Sequence, residues 1–177
     1  MLFISALTFL PTTLAHAQEL TVVSNVDLTE YTGLWYEIAR LPNSFQQQCI
    51  EDVTATYTLI DDGTIKVVNK CRKSNGEIDE AEGKVKRASD DTSCAKLKVR
   101  FAPAILSFLP FVWGDYWIID LASDYSYAVV GEPTRKYLWV LSRTPVMDET
   151  TLTLILDRIK VKGYDLSGLI RTRQSVK

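Results

Sequence analysis

Histidine is almost missing from this chain: His16 is the only one, and it lies in a leading segment expected to be removed on export. Without an imidazole, the mature chain cannot use Ser-His-Asp hydrolysis, His-ligated zinc or His general-base chemistry. Basic charge is not in excess either. Lys+Arg 20 against Asp+Glu 22 is not the balance of a general nucleic-acid binder, so no nucleic-acid partner is expected. Cysteine is sparse, with Cys49, Cys71 and Cys94 but no C-x-x-C pair, so no metal site and no cofactor are expected. No apolar run reaches the about 20 residues that a membrane-spanning helix needs.

What is present suits a folded domain. The chain has 177 residues, 46% hydrophobic and 24% charged, which predicts one globular domain. Met1 to Leu10 is almost wholly apolar, and Leu14-Ala15-His16-Ala17-Gln18 carries small residues where a signal peptidase reads. This pattern predicts a signal peptide over 1–17, with the domain at 18–177, although no Lys or Arg supplies a charged n-region. A buried first helix is the competing reading. No Cys stands near Gln18 for lipidation. Export to an oxidising compartment suits a disulfide. Of the three possible pairings, spacing favours Cys49–Cys71, because the two flank a predicted hairpin. Closing that loop contributes about 3 kcal/mol, mainly through the unfolded chain.

From Leu34 onward, β-rich runs recur at roughly ten-residue spacing. Strands are predicted at Trp35–Leu41, Val53–Ile60, Ile65–Lys70, Ala81–Arg87, Lys96–Phe101, Gly114–Leu121, Tyr127–Gly131 and Tyr137–Arg143. Asp62-Gly63 between two alternating runs signals a hairpin. Connections this short make neighbours antiparallel. The all-β class follows, with an eight-stranded up-and-down barrel over about 33–144 that removes exposed edges; a two-sheet sandwich is the alternative. Leu152, Ile155, Leu156 and Ile159 form one helical stripe over about 148–163, behind Asp148 as N-cap, expected to pack outside the barrel. In such a barrel successive turns alternate between the two ends. The start of strand one, the turn at Asp124-Tyr125 and the end of strand eight therefore meet at one end. There Arg143 is expected over the Trp35 ring, a contact of about 0.5–2 kcal/mol.

The residues at that end also carry a resemblance. Gly33-Leu34-Trp35 resembles the G-x-W block that opens a lipocalin. Asp124-Tyr125 resembles the second block of that family, and Tyr137 to Pro145, with Arg143, resembles the third. The likeness runs from Val26 to Ile170 and is greatest to the bacterial (Blc) and apolipoprotein D-like subgroup. It implies a calyx that binds fatty acids or lysophospholipids, for lipid storage or transport at the cell envelope. It also implies an exported protein, periplasmic or secreted, with outer-membrane attachment weakened by the missing lipidation cysteine.

Strand parity then names a ligand site. Trp139, Tyr137 and Leu141 share the inner face with Arg143, while Trp35, Glu37 and Ala39 share that of strand one. Glu37 would be an unpaired buried charge there unless a tyrosine hydroxyl or headgroup meets it, or a bulge turns it outward; Arg40 falls on the opposite face. Strand six offers Tyr116 or Trp117. Phe101 to Trp113 is a 13-residue uncharged segment with one hydroxyl. It is read as a lid with Trp113 at the mouth, or as a membrane contact through Ile105, Leu106, Phe108, Leu109 and Phe111; a homodimer through this patch is a further option. A noncatalytic binder is the expectation. An enzyme would have to rely on Cys94 or Glu37, and a haem or pigment binder would lack an ordinary axial ligand.

Overall fold

The computed structural model describes residues 19–60, 63–101 and 112–175. A short helix α1 (Leu28–Tyr31), not expected from the sequence, leads into β1 (Gly33–Arg40), β2 (Glu51–Leu59), β3 (Ile65–Arg72) and β4 (Ile78–Arg87). There follow β5 (Lys96–Arg100), β6 (Gly114–Leu121), β7 (Tyr127–Gly131), β8 (Leu138–Ser142), helix α2 (Glu149–Val161) and β9 (Ile170–Arg171). Every neighbour in the sheet is antiparallel, and β1 pairs with both β2 and β8. The eight strands thus close into a barrel, and the sandwich is excluded. The expected leader at 1–17 and the centre of the apolar segment, 102–111, lie outside the described residues.

The strands run further toward one end than the sequence pattern indicated. Ile78-Asp79-Glu80-Ala81-Glu82 is strand, yet Ala81 is exposed although it alternates with inward-facing Val85. A strand wet on both faces has no hydrophobic alternation to read. At the other end the interior is filled by Tyr31, Trp35, Val85, Leu97 and Ile118, all fully buried. Side chains therefore pack the base, whereas Ala81 is exposed and Gly83, Val99 and Trp139 are half-buried toward the mouth.

Helix α2 starts at Asp148, whose carboxylate accepts the Thr151 N–H at 2.8 Å. Its buried stripe, Leu152, Ile155 and Ile159, covers Ile38, Ala39, Ile119, Val129, Leu138 and Val140 on the outside of the barrel. Each of those three aliphatic side chains contributes about 1.5–3 kcal/mol by burial.

Three register shifts interrupt parity among the described residues. The first lies between Glu37 and Ala39 opposite β8, another between Ile118 and Asp120 opposite β7, and another between Glu51 and Thr54 opposite β3. The first sends consecutive residues Ile38 and Ala39 to the helix side and returns Arg40 to the side of Glu37. Near it, β1 parts from β2: their pairing ends at Tyr36–Thr54. Residues 170–175 fill the seam. β9 pairs with Ala39 and Arg40, Arg173 bridges Glu51, and the Asp52 N–H donates to the Arg173 carbonyl. The Gln174 amide then donates to the carbonyls of both Glu37 and Val53.

Candidate functional site

The base is built around Trp35. Gly33 has φ +95°, open to glycine at little cost, and a Cβ there would stand 3.3 Å from the Arg143 guanidinium. That guanidinium lies 3.7 Å above the Trp35 ring and donates to the carbonyls of Glu30, Leu34 and Tyr125. The Trp35 indole N–H donates to the Tyr31 carbonyl at 2.8 Å. Burial lowers the Arg143 pKa, while nearby Tyr31 and Glu30 oppose that shift. Tyr125, in the left-handed region at φ 57°, accepts the Asp27 N–H on its hydroxyl. Asp124 accepts the Ser126 N–H, and hydrogen bonding from the Ser126 side chain first and its N–H second holds the Asp124 carboxyl below the usual range. Gly33, Trp35, Tyr125 and Arg143 therefore meet, and Asp124 shapes the turn beside them.

Above the base, three tyrosines converge. The Tyr116 hydroxyl lies 2.8 Å from that of Tyr31 and 2.7 Å from that of Tyr57. Burial pushes all three phenols up, Tyr57 to about 12. The parity left open on strand six is resolved: Tyr116 points in, and Trp117 points out beneath the Lys96 ammonium. Leu141 belongs to the same inner cluster.

At the mouth, Tyr137 stacks on Trp139 at 6.1 Å between ring centres, and Phe45 of the β1–β2 loop contacts both. The Trp139 indole N–H donates to the Gln46 side-chain carbonyl at 2.8 Å, and the Gln46 amide donates to Glu37 at 2.9 Å. Glu37 is buried and paired with Arg40 at 2.6 Å; the Thr172 hydroxyl also donates to it. The bulge therefore does not turn Glu37 outward. It brings Arg40 inward instead, contrary to the strict parity expected of strand one. Beside this network, the structure pairs Cys49 with Cys71, joining the β1–β2 loop to the end of β3.

Two expected lining residues are elsewhere. Ala39 is fully buried against α2, on the outer side, because of the same bulge. Trp113 lies on the outer wall, 4.2 Å from the Lys86 ammonium and 5.1 Å from the Arg100 guanidinium. Lys86 alternates with inward Val85, and Trp113 with inward Tyr116 across Gly114 and Asp115, so both face out. Ile105, Leu106, Phe108, Leu109 and Phe111 lie outside the described residues. Phe101 is half exposed, with its ring on Gly83, where a Cβ would stand 2.8 Å from the ring and from the Arg100 carbonyl.

Phe45, Gln46, Thr172, Tyr31 and Tyr57 were not named as site residues from the sequence, and Arg40 was placed on the opposite face. Tyr57 was within reach, two residues from Ala55 on one face of a strand; Phe45, the lone aromatic of a polar loop, was a weaker signal. Gln46 and Thr172 carry none. Cys94 is a free thiol at the base, its backbone at φ 58°, with the Arg87 guanidinium 3.7 Å from its sulfur. It lies in the β4–β5 connection, at the end opposite Glu37, so the two form no common site. Among the described residues, no three His, Cys, Asp or Glu side chains group as metal ligands do.

Residues 26–174 match the family model described as a lipocalin-like domain. The chain is 43% identical over 159 residues to temperature-induced lipocalin-1 of Arabidopsis thaliana, covering 89% of this chain and 84% of that protein. It is 41% identical over 155 residues to outer membrane lipoprotein Blc of Escherichia coli (strain K12), covering 87% and 82%. Among solved structures, insecticyanin from the tobacco hornworm Manduca sexta superposes with a TM-score of 0.67 at 24% identity, covering 91% of this chain and 87% of that one. That last likeness concerns the fold alone.

Proposed function

Because the chain belongs to the lipocalin family, we propose that it carries or stores small hydrophobic lipids, such as fatty acids or lysophospholipids, inside its barrel. The observation that supports this most is the uneven filling of the interior. The base is packed solid, while inward-facing Ala81 stays exposed and Gly83, Val99 and Trp139 stay half-buried. Space of this kind, lined by small aliphatic and aromatic side chains, suits an acyl chain. In this reading Trp139, Tyr137 and Phe45 contact the ligand near the opening, and Tyr116 and Leu141 contact it deeper. Trp113 and Ala39 drop out of the site. The protein is exported and works at the cell envelope or beyond, as the outer-membrane name of one relative suggests. The uncharged 101–113 segment supplies transient membrane contact; burying two Phe and a Leu contributes roughly 4–8 kcal/mol.

The test mixes the mature protein with a fluorescent fatty acid or lysophospholipid and follows tryptophan quenching. Saturable binding at micromolar concentration is expected. Its absence, with the fold intact by circular dichroism, overturns the reading.

A further inference from the structure

We propose that the Tyr31–Tyr57–Tyr116 cluster is a recognition point inside the barrel for a neutral oxygen acceptor, a hydroxyl or carbonyl, on the end of the lipid that enters first. This rests on the carrier reading and adds a chemical selectivity to it.

Proton counting carries the inference. Three phenols bring three O–H donors, but among the described residues only two contacts engage these hydroxyls, Tyr31–Tyr116 and Tyr57–Tyr116. Two protons satisfy those contacts, whichever way the chain of bonds runs. One O–H is always left pointing elsewhere. Tyr31 has no exposed surface, whereas Tyr57 and Tyr116 keep 5% and 8%. The spare donor is placed on Tyr57 or Tyr116, the two residues of the cluster that are not wholly enclosed. On their mouth side the inward positions are Ala55 on β2, Asn69 on β3 between Ala55 and Ala81, and Ala81 and Gly83 on β4, the last beneath the Phe101 ring. A buried donor left unmade is unfavourable, so an acceptor delivered here gains more than it would in water.

The charge of that acceptor follows from the surroundings. Of the interior cations, Arg40 is bound to Glu37, and Arg143 lies against Trp35 at the base. Lys84, Lys86, Lys98 and Arg100 alternate outward with Val85, Leu97 and Val99. Residues 102–111 contain no charge. A carboxylate beside the tyrosines would be buried without a counterion, which is costly. Burial also keeps the three phenols protonated, as donors, across the physiological range. A fatty acid would accordingly enter tail first, whereas a long-chain alcohol, ketone or ester would enter oxygen first.

The experiment displaces a neutral fluorescent dye, N-phenylnaphthylamine, with methyl nonyl ketone and with its isostere carrying a methylene group in place of the carbonyl oxygen. Both ligands are titrated into the full chain and into the Tyr57→Phe/Tyr116→Phe variant. The preference for ketone over isostere should fall by about fivefold to tenfold in the variant, the worth of one hydrogen bond. Laurate affinity should change by less than about twofold, since no bond of this class is lost. The infrared carbonyl stretch of the ketone bound to the unaltered protein should lie below its value in hexane. A preference unchanged by the double substitution, or a stretch at the hexane value, overturns the proposal. The infrared result stands even if the variant fails to fold. Laurate losing affinity in place of the ketone overturns the neutral-acceptor assignment. If the dye does not bind saturably at all, the carrier reading falls, and this one with it.

Discussion

Removing the Glu37 carboxylate should unfold this protein more readily than most single changes would. Its side chain is 2% exposed and that of Arg40 is 7% exposed, with 2.6 Å between the charged atoms. Glu37→Ala leaves the guanidinium facing only the neutral oxygens of Cys49 and Thr172. Breaking a buried pair from one side costs about 3–5 kcal/mol. That is a large fraction of the roughly 5–15 kcal/mol that holds a domain of this size. Replacing both partners by apolar side chains, Glu37→Leu with Arg40→Met, should recover most of the loss, because no stranded charge remains. Urea unfolding followed by tryptophan fluorescence, with the disulfide intact, measures each variant. A coupling energy of at least about 2 kcal/mol should emerge from the cycle formed by Glu37→Leu, Arg40→Met and their combination. A Glu37→Ala cost below about 1 kcal/mol, or a double variant that loses the sum of the singles, would refute the reasoning.

Other expectations follow from the same geometry. Trp139→Ala should weaken binding of a fluorescent lipid by about 1–3 kcal/mol; unchanged affinity in a folded variant would remove Trp139 from the site. Reducing Cys49–Cys71, which are 22 residues apart, should cost about 3 kcal/mol, and an unmoved urea midpoint in reductant would contradict this. Burial lifts the Tyr57 and Tyr164 phenols to about 12, so the folded chain keeps protons that the unfolded chain releases near the usual value of 10. The stability they contribute is complete below that usual value and declines as pH rises from it toward 12. Phenolate absorbance should therefore rise together with alkaline unfolding, and titration of every tyrosine near 10 in a folded protein would disprove the link.

The barrel and its base were legible in the sequence because both rest on local patterns and on topology. Alternation marks strands, and an up-and-down order brings Trp35 and Arg143 together without any coordinates. The mouth was harder. A bulge is set by what must be buried on both sides at once, and Ile38 and Ala39 are both required under α2. Parity counted from Trp35 therefore failed at Ala39 and Arg40. Trp113 stands at the mouth end of β6 but on the outer face, and was counted with the lining because a long connection erases the phase of the strand that follows it. Gln46 and Thr172 act by hydrogen bonds across 9 and 135 residues to Glu37, and no periodicity encodes such partners. The upper part of β4 was missed because a strand with water on both faces looks like a loop.

The strap of residues 170–175 sets an order of events for the nascent chain. Synthesis makes β1 early, yet the groups that close its upper flank, from Ile170 to Gln174, come more than a hundred residues later. Until they arrive, Ile38, Ala39 and Asp52 present unpaired backbone on an open edge, the kind of surface that recruits a second molecule. A product halted before Ile170 would hold most of its wall and yet remain sticky along one side, so cellular quality control would have a defined lesion to recognise.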